Sequence, residues 1–283
     1  MVRTFLGGSL AGKLTSDEMG KLTKSIDIVG DVAIVKVPPE LETKKQIISE
    51  AVMTVNRNIR TVLNQAGPTI GEFRLRSLEW IAGERKIETI YREYGCVFKV
   101  NLFETYFSPR LSFERMRIAR LVKEGETVVN MFAGVGCFSI VIGKKSKACR
   151  VYSIDINPKA VELMQKNIVL NRLEDKVEAT RGDAREVVEG RFRETSNRVL
   201  MPLPAKAYEY LDAACAALKP EGGFIHYYDF IHARKNEDAM VKIADKVKKK
   251  LIFLGKDFEI PLSRIVRTVG PNWYQVVLDL EVH

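Results

Sequence analysis

Strand-like and helical segments alternate from about Glu114 to the end of the chain, and this alternation constrains the fold more than any other feature. The strand-like runs are short and rich in Val, Ile and Leu, at Thr127–Phe132, Arg150–Asp155, Val177–Ala179, Arg198–Met201 and Gly223–Tyr228. Helical patterns separate them, at Pro158–Asn171, Ala205–Leu218 and Asn236–Lys250. This order predicts an α/β fold with a doubly wound, mostly parallel sheet. Two successive strands, near Phe258–Pro261 and at Trp273–Val282, predict an antiparallel edge.

The chain before this region has a different pattern. The alternating run Ser25–Val37, with Gly30-Asp31 at its centre, predicts a β-hairpin. Residues 44–64 place apolar side chains at helical spacing, and strand-like runs follow at Lys86–Glu93 and Cys96–Asn101. We therefore predict a small α+β domain over residues 1–107 and the α/β domain over residues 108–283.

Composition excludes several classes of protein. Of 283 residues, 46% are hydrophobic and 29% are charged, a balance typical of folded globular proteins and not of disordered chains. No apolar run approaches the roughly 20 residues that a membrane-spanning helix needs, so we expect no membrane association. The 45 Lys+Arg against 36 Asp+Glu leave a net charge of +9. That excess fits either a nucleic-acid partner or a general solubility requirement.

The cysteines bear on metal binding and on cellular compartment. All four are widely separated in sequence, without a Cys-x-x-Cys pair: Cys96, Cys137, Cys149 and Cys215. Zinc sites and disulfide frameworks need better-organised ligands, so we expect no metal and reduced thiols. The N-terminal segment lacks the sustained apolar core of a secretion signal. We therefore expect a cytoplasmic protein.

A glycine-rich turn stands directly between an apolar strand and a helix, in the sequence VVNMFAGVGCFSI. Gly134 and Gly136 leave the backbone N–H groups open to a ligand. Asp155 ends the next strand about 20 residues later, where a carboxylate can accept both hydroxyls of a ribose. Asp183 follows the third strand, where it could meet an adenine amino group. The turn and the two carboxylates together predict a nucleoside-containing cofactor.

Either a dinucleotide or S-adenosylmethionine could fill this site. A dinucleotide fingerprint has a third glycine, and Ser139 stands at that position here. The strand Arg198–Met201, followed by Pro-Leu-Pro, is also foreign to dinucleotide-binding proteins, so the residues favour S-adenosylmethionine. The candidate cofactor-binding residues are Phe132, Ala133, Gly134, Gly136, Asp155, Ile156, Asp183 and Ala184.

Several motifs together resemble a known family. MFAGVGCFSI, SIDINPKAVELMQKNI, GDAREV, RVLMPLP and GGFIHYY, in this order, are similar to the archaeal and eukaryotic tRNA (guanine-37-N1) methyltransferases. The upstream segments GEFRLRSLEWIAGE and YFSPRLSFER share the resemblance, which covers about residues 25–283. The wybutosine-synthesising aminocarboxypropyl transferases are close relatives with the same cofactor and scaffold.

The resemblance implies a class I (Rossmann-like) methyltransferase domain preceded by the small α+β domain, with S-adenosylmethionine as cofactor. It implies that Glu114 is the general base, that Arg74 binds guanine O6, and that Tyr106 lies beside the cofactor and base. These residue types suit the chemistry, because guanine N1 carries a proton that a base must remove as the methyl group arrives. Negative charge then develops on O6, where a guanidinium can stabilise it.

Two positions depart from the family pattern. Pro202 stands where relatives usually have an asparagine that can hold the guanine edge, and proline offers neither an amide side chain nor a backbone donor. A shifted substrate or reaction is therefore possible. Asn130 replaces the more common aspartate before Met-Phe-Ala-Gly. The chain is also expected to lack the additional N-terminal domain with which many relatives check the tRNA elbow.

The family substrate is RNA, so we expect the anticodon loop and stem of tRNA as the partner of a monomeric enzyme. The candidate substrate-binding residues are Tyr106, Arg110, Arg115, Pro202 and Pro204. Arg117 and Arg120 are further candidates for phosphate contacts. Two other functions stay open: aminocarboxypropyl transfer from the same cofactor to a wybutosine precursor, and non-catalytic RNA binding.

Overall fold

The computed structural model describes residues 8–23 and 25–283, and the chain divides into two compact units, Met1–Ser112 and Phe113–His283. The elements of the first unit are α1 (Ser16–Lys21), β1 (Asp27–Val29), β2 (Val32–Val35), α2 (Lys45–Val55), β3 (Thr61–Ile70), β4 (Leu75–Gly83), β5 (Glu88–Glu93) and β6 (Cys96–Asn101). Its strands form a four-stranded sheet in the order β1-β2-β3-β4 and a separate β5-β6 ribbon.

The hairpin predicted at Ser25–Val37 is confirmed, because β1 and β2 pair antiparallel around Gly30-Asp31. The helix predicted over residues 44–64 is wrong beyond Val55. Asn56 leaves the helix in an extended conformation, and Val62 lies in β3, which runs parallel to β2. Apolar spacing alone does not distinguish a helix from a helix followed by a buried strand. The apolar side of α2 and the inner side of the sheet share one core, which includes Val35, Ile48, Val52, Val62 and Ile81.

The second unit contains a seven-stranded sheet in the order β12-β13-β11-β10-β7-β8-β9. Its elements are α3 (Ser112–Leu121), β7 (Thr127–Asn130), α4 (Cys137–Lys145), β8 (Arg150–Asp155), α5 (Pro158–Asn171), β9 (Val177–Arg181), α6 (Ala184–Val187), β10 (Arg198–Met201), α7 (Leu211–Ala217), β11 (Gly223–His232), α8 (Ala239–Phe253), β12 (Phe258–Gly270) and β13 (Trp273–Val282). Strands β7 to β11 are parallel, and β13 is antiparallel to both β11 and β12. The predicted α/β fold with its antiparallel edge is confirmed.

The two faces of this sheet differ in chemistry. Val199, Met201, Ile225 and Tyr227 belong to an apolar core that includes residues of α6, α7 and α8. Side chains alternate along a strand, so Arg198 projects from the opposite face, where its guanidinium donates to the carbonyl of Leu121 in α3. That face therefore carries buried charge as well as apolar side chains.

The helix predicted over Ala205–Leu218 is shorter in the structure and begins only at Leu211. Turns occupy the preceding residues, with the Glu209 N–H donating to the Lys206 carbonyl. Arg185 donates a hydrogen bond to the carbonyl of Glu209 at 2.8 Å. An external donor and a local turn thus replace the first helical turns that the apolar pattern predicts.

Gly30 lies where the β5-β6 ribbon packs closely against the first hairpin. It has a φ of +59°, and a Cβ there would lie 2.2 Å from Thr89 Oγ1 and 2.4 Å from the Ile90 carbonyl oxygen. Gly71 has a similar φ of +68° but nothing within 4 Å of its Cβ position. We expect Gly71→Ala to cost about 1 kcal/mol of unfolding free energy, and Gly30→Ala to cost about 1–3 kcal/mol more through overpacking.

Urea denaturation of the two variants, followed by circular dichroism, measures this difference. Equal losses would show that the ribbon does not approach Gly30 as described.

Candidate active site

The glycine-rich turn connects β7 to α4 at the carboxyl edge of the parallel strands. Helix α4 begins at Cys137, and its N-cap Gly136 has a φ of +89°. Gly134 also has a positive φ of +57°, a conformation that disfavours side chains with a Cβ. A Cβ on Gly136 would lie 2.9 Å from Met164 Cγ. Both glycines are therefore required by the backbone, and Gly136 is required by packing as well.

Asp155, at the end of β8, holds this turn in place. Its Oδ2 accepts a hydrogen bond from the Gly134 N–H at 2.6 Å, and its Oδ1 accepts one from the Asn157 N–H at 2.9 Å. Burial raises the pKa of Asp155, and these backbone hydrogen bonds oppose the shift only in part. A carboxylate oxygen can accept more than one hydrogen bond, so Asp155 retains acceptor capacity for two ribose hydroxyls.

Asp183 follows β9 and caps helix α6. Its carboxylate accepts from the backbone N–H of Arg185 and from the hydroxyl of Tyr210 at 2.5 Å. Burial, followed by the hydrogen bond to Asp183, raises the pKa of Tyr210 to about 12. The Tyr210 ring contacts Phe132 edge-on, with centroids 5.3 Å apart. An aromatic wall thus connects the glycine-rich turn to Asp183.

Sequence reasoning missed Tyr210, because no motif marks it and it falls in the segment predicted as helix. The other predicted cofactor residues lie along the same edge. Ala133 and Ala184 are buried, and Ile156 is 39% exposed. The structure therefore brings together the glycine-rich turn, Asp155, Ile156 and Asp183 with its helix start, as one edge of the sheet.

Asn130 is fully buried at the end of β7. Its amide donates to Ser139 Oγ at 3.0 Å, and its carbonyl oxygen accepts from the Phe132 N–H at 3.4 Å. An asparagine side chain both donates and accepts hydrogen bonds. Asn130, which replaces the usual aspartate, therefore stabilises the turn without a charge.

Glu114 lies in the first turn of α3 and is 1% exposed. Its Oε2 accepts from Arg117 Nε at 3.1 Å and from the Tyr228 hydroxyl at 2.9 Å. Arg264 of β12 forms an ion pair with the other carboxylate oxygen, and its guanidinium lies over the exposed ring of Phe113, 5.2 Å from the centroid. Two guanidinium groups and a hydroxyl thus contact this carboxylate, and neighbours of this kind favour the ionised form that a general base needs.

This contact set continues as a chain of alternating charges under α3. Arg117 donates to both oxygens of Asp279, at 2.6 and 3.1 Å. Asp279 contacts His226 Nδ1 at 2.5 Å, and His226 Nε2 contacts Arg198 at 2.7 Å. Arg198 in turn forms two hydrogen bonds to Glu126, at 2.8 and 3.1 Å. Every charge in the chain thus has an opposite charge or a neutral polar group beside it.

The protonation states follow from these contacts. Complete burial lowers the pKa of His226 despite the neighbouring Asp279, so the ring is neutral, donates from Nδ1 and accepts at Nε2. Burial alone would raise the pKa of Asp279, but the hydrogen bonds from His226 and Arg117 and the charge of Arg117 outweigh it and hold the pKa well below its usual range.

The remaining predicted residues of the second unit differ in exposure. Arg115 is only 2% exposed, and Arg117 is engaged with Asp279; neither fits the prediction of a phosphate contact on an open surface. Arg120 is exposed. Pro202 and Pro204 are partly buried and follow β10 directly.

The position of Pro202 follows from the strand pairing. Met201 pairs with Tyr227 of the parallel strand β11, so Pro202 follows at the level of Tyr228. The Tyr228 hydroxyl donates to Glu114. The departure from the family pattern therefore stands beside a strand residue that binds Glu114.

Three predicted residues belong to the first unit. Arg74 lies in the turn between β3 and β4 with a φ of +56°, and Tyr106 is partly buried after β6. Arg110 donates to Asp27 Oδ1 at 2.6 Å, and Asp27 Oδ2 accepts from Arg76 at 3.0 Å. Asp27 therefore ties the Ser-Pro-Arg-Leu segment to the first hairpin and leaves the Arg110 side chain 43% exposed.

Two properties of the described residues bear on other function classes. Across residues 8–23 and 25–283, no group of three or more His, Cys, Asp or Glu side chains could hold a metal ion. In the same part of the chain, no helix combines the length and apolar character needed to cross a bilayer.

The TRM5/TYW2 methyltransferase domain matches residues 89–256, and the TYW2 N-terminal domain matches residues 6–86. The chain belongs to the TRM5/TYW2 family. The family resemblance inferred from the motifs is confirmed.

Two individual relatives are named as methyltransferases that act at position 37 of tRNA. The tRNA (guanine(37)-N(1))-methyltransferase Trm5b of Pyrococcus abyssi is 37% identical over 92% of this chain and 76% of its own length. The tRNA 4-demethylwyosine(37)-methyltransferase Taw21 of Saccharolobus solfataricus is 33% identical over 92% of this chain and 94% of its own length.

Solved structures of TRM5/TYW2 proteins share the fold. The complex of aTrm5 with tRNALeu superposes with a TM-score of 0.85 at 36% identity, over 98% of this chain and 78% of that one. The TYW2 of P. horikoshii in complex with MeSAdo superposes with a TM-score of 0.80 at 28% identity, over 99% of this chain and 98% of that one. The predicted Rossmann-like methyltransferase fold is thereby confirmed.

The buried charge chain predicts a large cost for breaking one member. Arg198→Leu leaves Glu126 buried without its partner, so we expect a loss of about 3–5 kcal/mol in unfolding free energy. The double variant Arg198→Leu/Glu126→Leu should recover much of it, because no unpaired charge remains. Chemical denaturation measures both.

The matched control is Arg191→Leu, which breaks the exposed ion pair of Arg191 with Glu178 and should cost at most about 1 kcal/mol. A loss at Arg198 no larger than the loss at Arg191 would contradict the buried pairing.

Proposed function

We propose that this protein transfers the methyl group of S-adenosylmethionine to N1 of guanosine 37 in the anticodon loop of tRNA. The observation that carries the proposal is Glu114, a buried carboxylate contacted by Arg117, Arg264 and Tyr228. The Tyr228 ring also lies 6.0 Å from that of Phe138 in α4, the helix that starts at the glycine-rich turn. The general base and the cofactor turn are thus parts of one packed unit.

The cofactor-binding residues fit S-adenosylmethionine. Asp155 has acceptor capacity for the ribose hydroxyls, and Tyr210 and Phe132 offer an aromatic wall beside Asp183. A methyltransferase relative, and a related structure that contains MeSAdo, support the same cofactor class. When bound, S-adenosylmethionine supplies an electrophilic methyl group.

The chain's own residues then account for the acid–base chemistry. We assign Glu114 the removal of the N1 proton as the N1–methyl bond forms, since protonated N1 is a poor nucleophile. We assign Arg74 the role of stabilising the negative charge that develops on O6. We propose that Tyr106 lies beside the base.

The partner is proposed to be the anticodon loop and stem of tRNA, in keeping with the tRNA complex of a related structure. Arg110 keeps an exposed guanidinium after pairing with Asp27, and Arg120 and Phe113 are exposed as well. Guanidinium groups contact phosphates, and exposed rings stack on unpaired bases. We expect residues 1–107 to act on the RNA side, and a cytoplasmic monomer to be the active form.

A second candidate reaction is favoured by Pro202. It removes the amide that could read guanine edges, and the 4-demethylwyosine methyltransferase relative matches over 94% of its own length. Methylation of 4-demethylwyosine at position 37 uses the same cofactor and scaffold. Aminocarboxypropyl transfer to 4-demethylwyosine is the third possibility, because a relative from Methanocaldococcus jannaschii, 31% identical, is named as such a transferase.

One assay separates these reactions. The protein is incubated with tRNA carrying either guanosine or 4-demethylwyosine at position 37, and with cofactor labelled on the methyl or on the aminocarboxypropyl group. We expect methyl label at N1 of guanosine 37. Methyl label only on the tricyclic base would favour the second candidate, and label from the aminocarboxypropyl group the third.

Glu114→Gln supplies the control for chemistry, because glutamine keeps the shape and cannot take the proton. Methyl transfer in a single turnover should fall by about 100-fold or more, with cofactor affinity near that of the parent. Undiminished transfer would remove Glu114 from the role of base.

Asp155→Asn tests the ribose contact. Hydrogen bonds to a charged acceptor contribute about 1.5–3 kcal/mol, so the dissociation constant for S-adenosylmethionine should rise about 10- to 100-fold. Because burial raises the pKa of Asp155, affinity of the parent should fall with acidification at a higher pH than for an ordinary aspartate. Calorimetric titration across pH measures both effects.

Glu162→Gln is the matched control, since Glu162 is an exposed carboxylate of α5 paired with Lys166. It should leave affinity and its pH dependence unchanged. Equal effects of the two variants would contradict the role of Asp155.

A further inference from the structure

Charged and polar groups from three elements of its unit contact Glu114. Arg117 approaches from α3 itself, Tyr228 from β11, and Arg264 from β12. Asp279 of β13 lies behind Arg117 and does not touch Glu114 directly. The proton affinity of Glu114 is therefore a property of this group of side chains.

Arg117 divides its positive charge unequally. It donates two hydrogen bonds to Asp279, at 2.6 and 3.1 Å, and a single one to Glu114, at 3.1 Å. A bidentate carboxylate–guanidinium pair is the stronger contact. Asp279 thus takes most of the charge of Arg117 and keeps it from over-stabilising the ionised form of Glu114.

Asp279 is itself fixed in place. Neutral His226 donates to it from Nδ1, while the opposite ring nitrogen accepts from Arg198. Arg198 is in turn neutralised by Glu126. The charges of Arg198 and Glu126 neutralise one another. This ion pair therefore adds no net charge to the row of buried charges that ends at Glu114.

We propose that Asp279 and Tyr228 are positioning residues that set the proton affinity of Glu114 in opposite directions. Asp279 raises it by drawing off the charge of Arg117, and Tyr228 lowers it by donating a hydrogen bond to the carboxylate. The proposal rests on the proposed function in one respect, namely that Glu114 accepts the N1 proton.

The two residues make opposite predictions when they are changed. Asp279→Asn removes a negative charge and releases Arg117 to Glu114, so Glu114 should take up its proton at a lower pH, by about 1 pH unit. Tyr228→Phe removes a donor to the carboxylate, so the midpoint should move to a higher pH. A role confined to folding would shift neither midpoint, or both in the same direction.

The titration can be followed directly in the whole protein. Glutamate labelled with carbon-13 at the side-chain carboxyl reports each protonation by NMR, and Glu114→Gln identifies the signal of Glu114. Single-turnover methyl transfer is measured over the same pH range, where the acidic limb of the rate profile should move with the titration midpoint in each variant.

Tyr227→Phe is the matched control. Tyr227 is the adjacent buried tyrosine of β11, but its hydroxyl donates to Asp229 at 2.5 Å, and its side chain belongs to the opposite face. It should lower stability without moving the Glu114 midpoint. Thermal melts of all variants identify any that fail to fold, and Tyr228→Phe, which removes one hydroxyl, keeps the proposal testable if Asp279→Asn does not fold.

The outcomes distinguish a failure of the positioning roles from a failure of the proposed function. Midpoints of both variants within error of the parent, or a shift of the same sign in both, would overturn the positioning roles. Opposite shifts in a protein that transfers no methyl to guanosine 37 would support the positioning roles and overturn the proposed function. A shift as large in Tyr227→Phe as in Tyr228→Phe would also overturn them.

Discussion

Pairing of buried charges beneath α3 is the constraint on which the arrangement of this site depends. A charge transferred from water into a protein interior costs several kcal/mol unless a partner compensates it. Helix α3 has a weak apolar stripe, and its buried residues include Glu114 and Arg115. It is attached to the sheet largely through specific pairs, such as Arg117 with Asp279. Because such pairs are directional, they fix the position of the helix on the sheet and the orientation of Glu114.

At the carboxyl edge of the parallel strands, single carboxylates make several contacts each. Asp155 accepts hydrogen bonds from the N–H groups of Gly134 and Asn157, so the carboxylate that we propose as the ribose ligand also shapes the turn. A change there affects the turn and the ligand together. Asp183 likewise caps α6 and binds Tyr210. In both cases a carboxylate that we propose to bind the cofactor also stabilises the local backbone.

Much of this arrangement was predictable from periodicity and turn chemistry. The parallel strands, the first hairpin and the positions of Asp155 and Asp183 follow from local patterns that reach only a few residues. Two helices were predicted to be longer than they are. The apolar spacing of α2 continues into β3 at Val62, and turns occupy the residues before α7. The Tyr228 partner of Glu114 was not predictable, because the two residues are 114 positions apart in sequence. Pairing at that distance is decided by strand order, which local patterns do not encode.

The order of the strands also has a consequence for how the chain folds. Strand β12 precedes β13 in sequence, yet β13 lies between β11 and β12 in the sheet. Until β13 forms, β12 has no neighbour and the ten-residue β11 presents an open edge, which is a template for unwanted pairing with other chains. The open edge of β11 is therefore covered only when the β12-β13 hairpin pairs with it through β13.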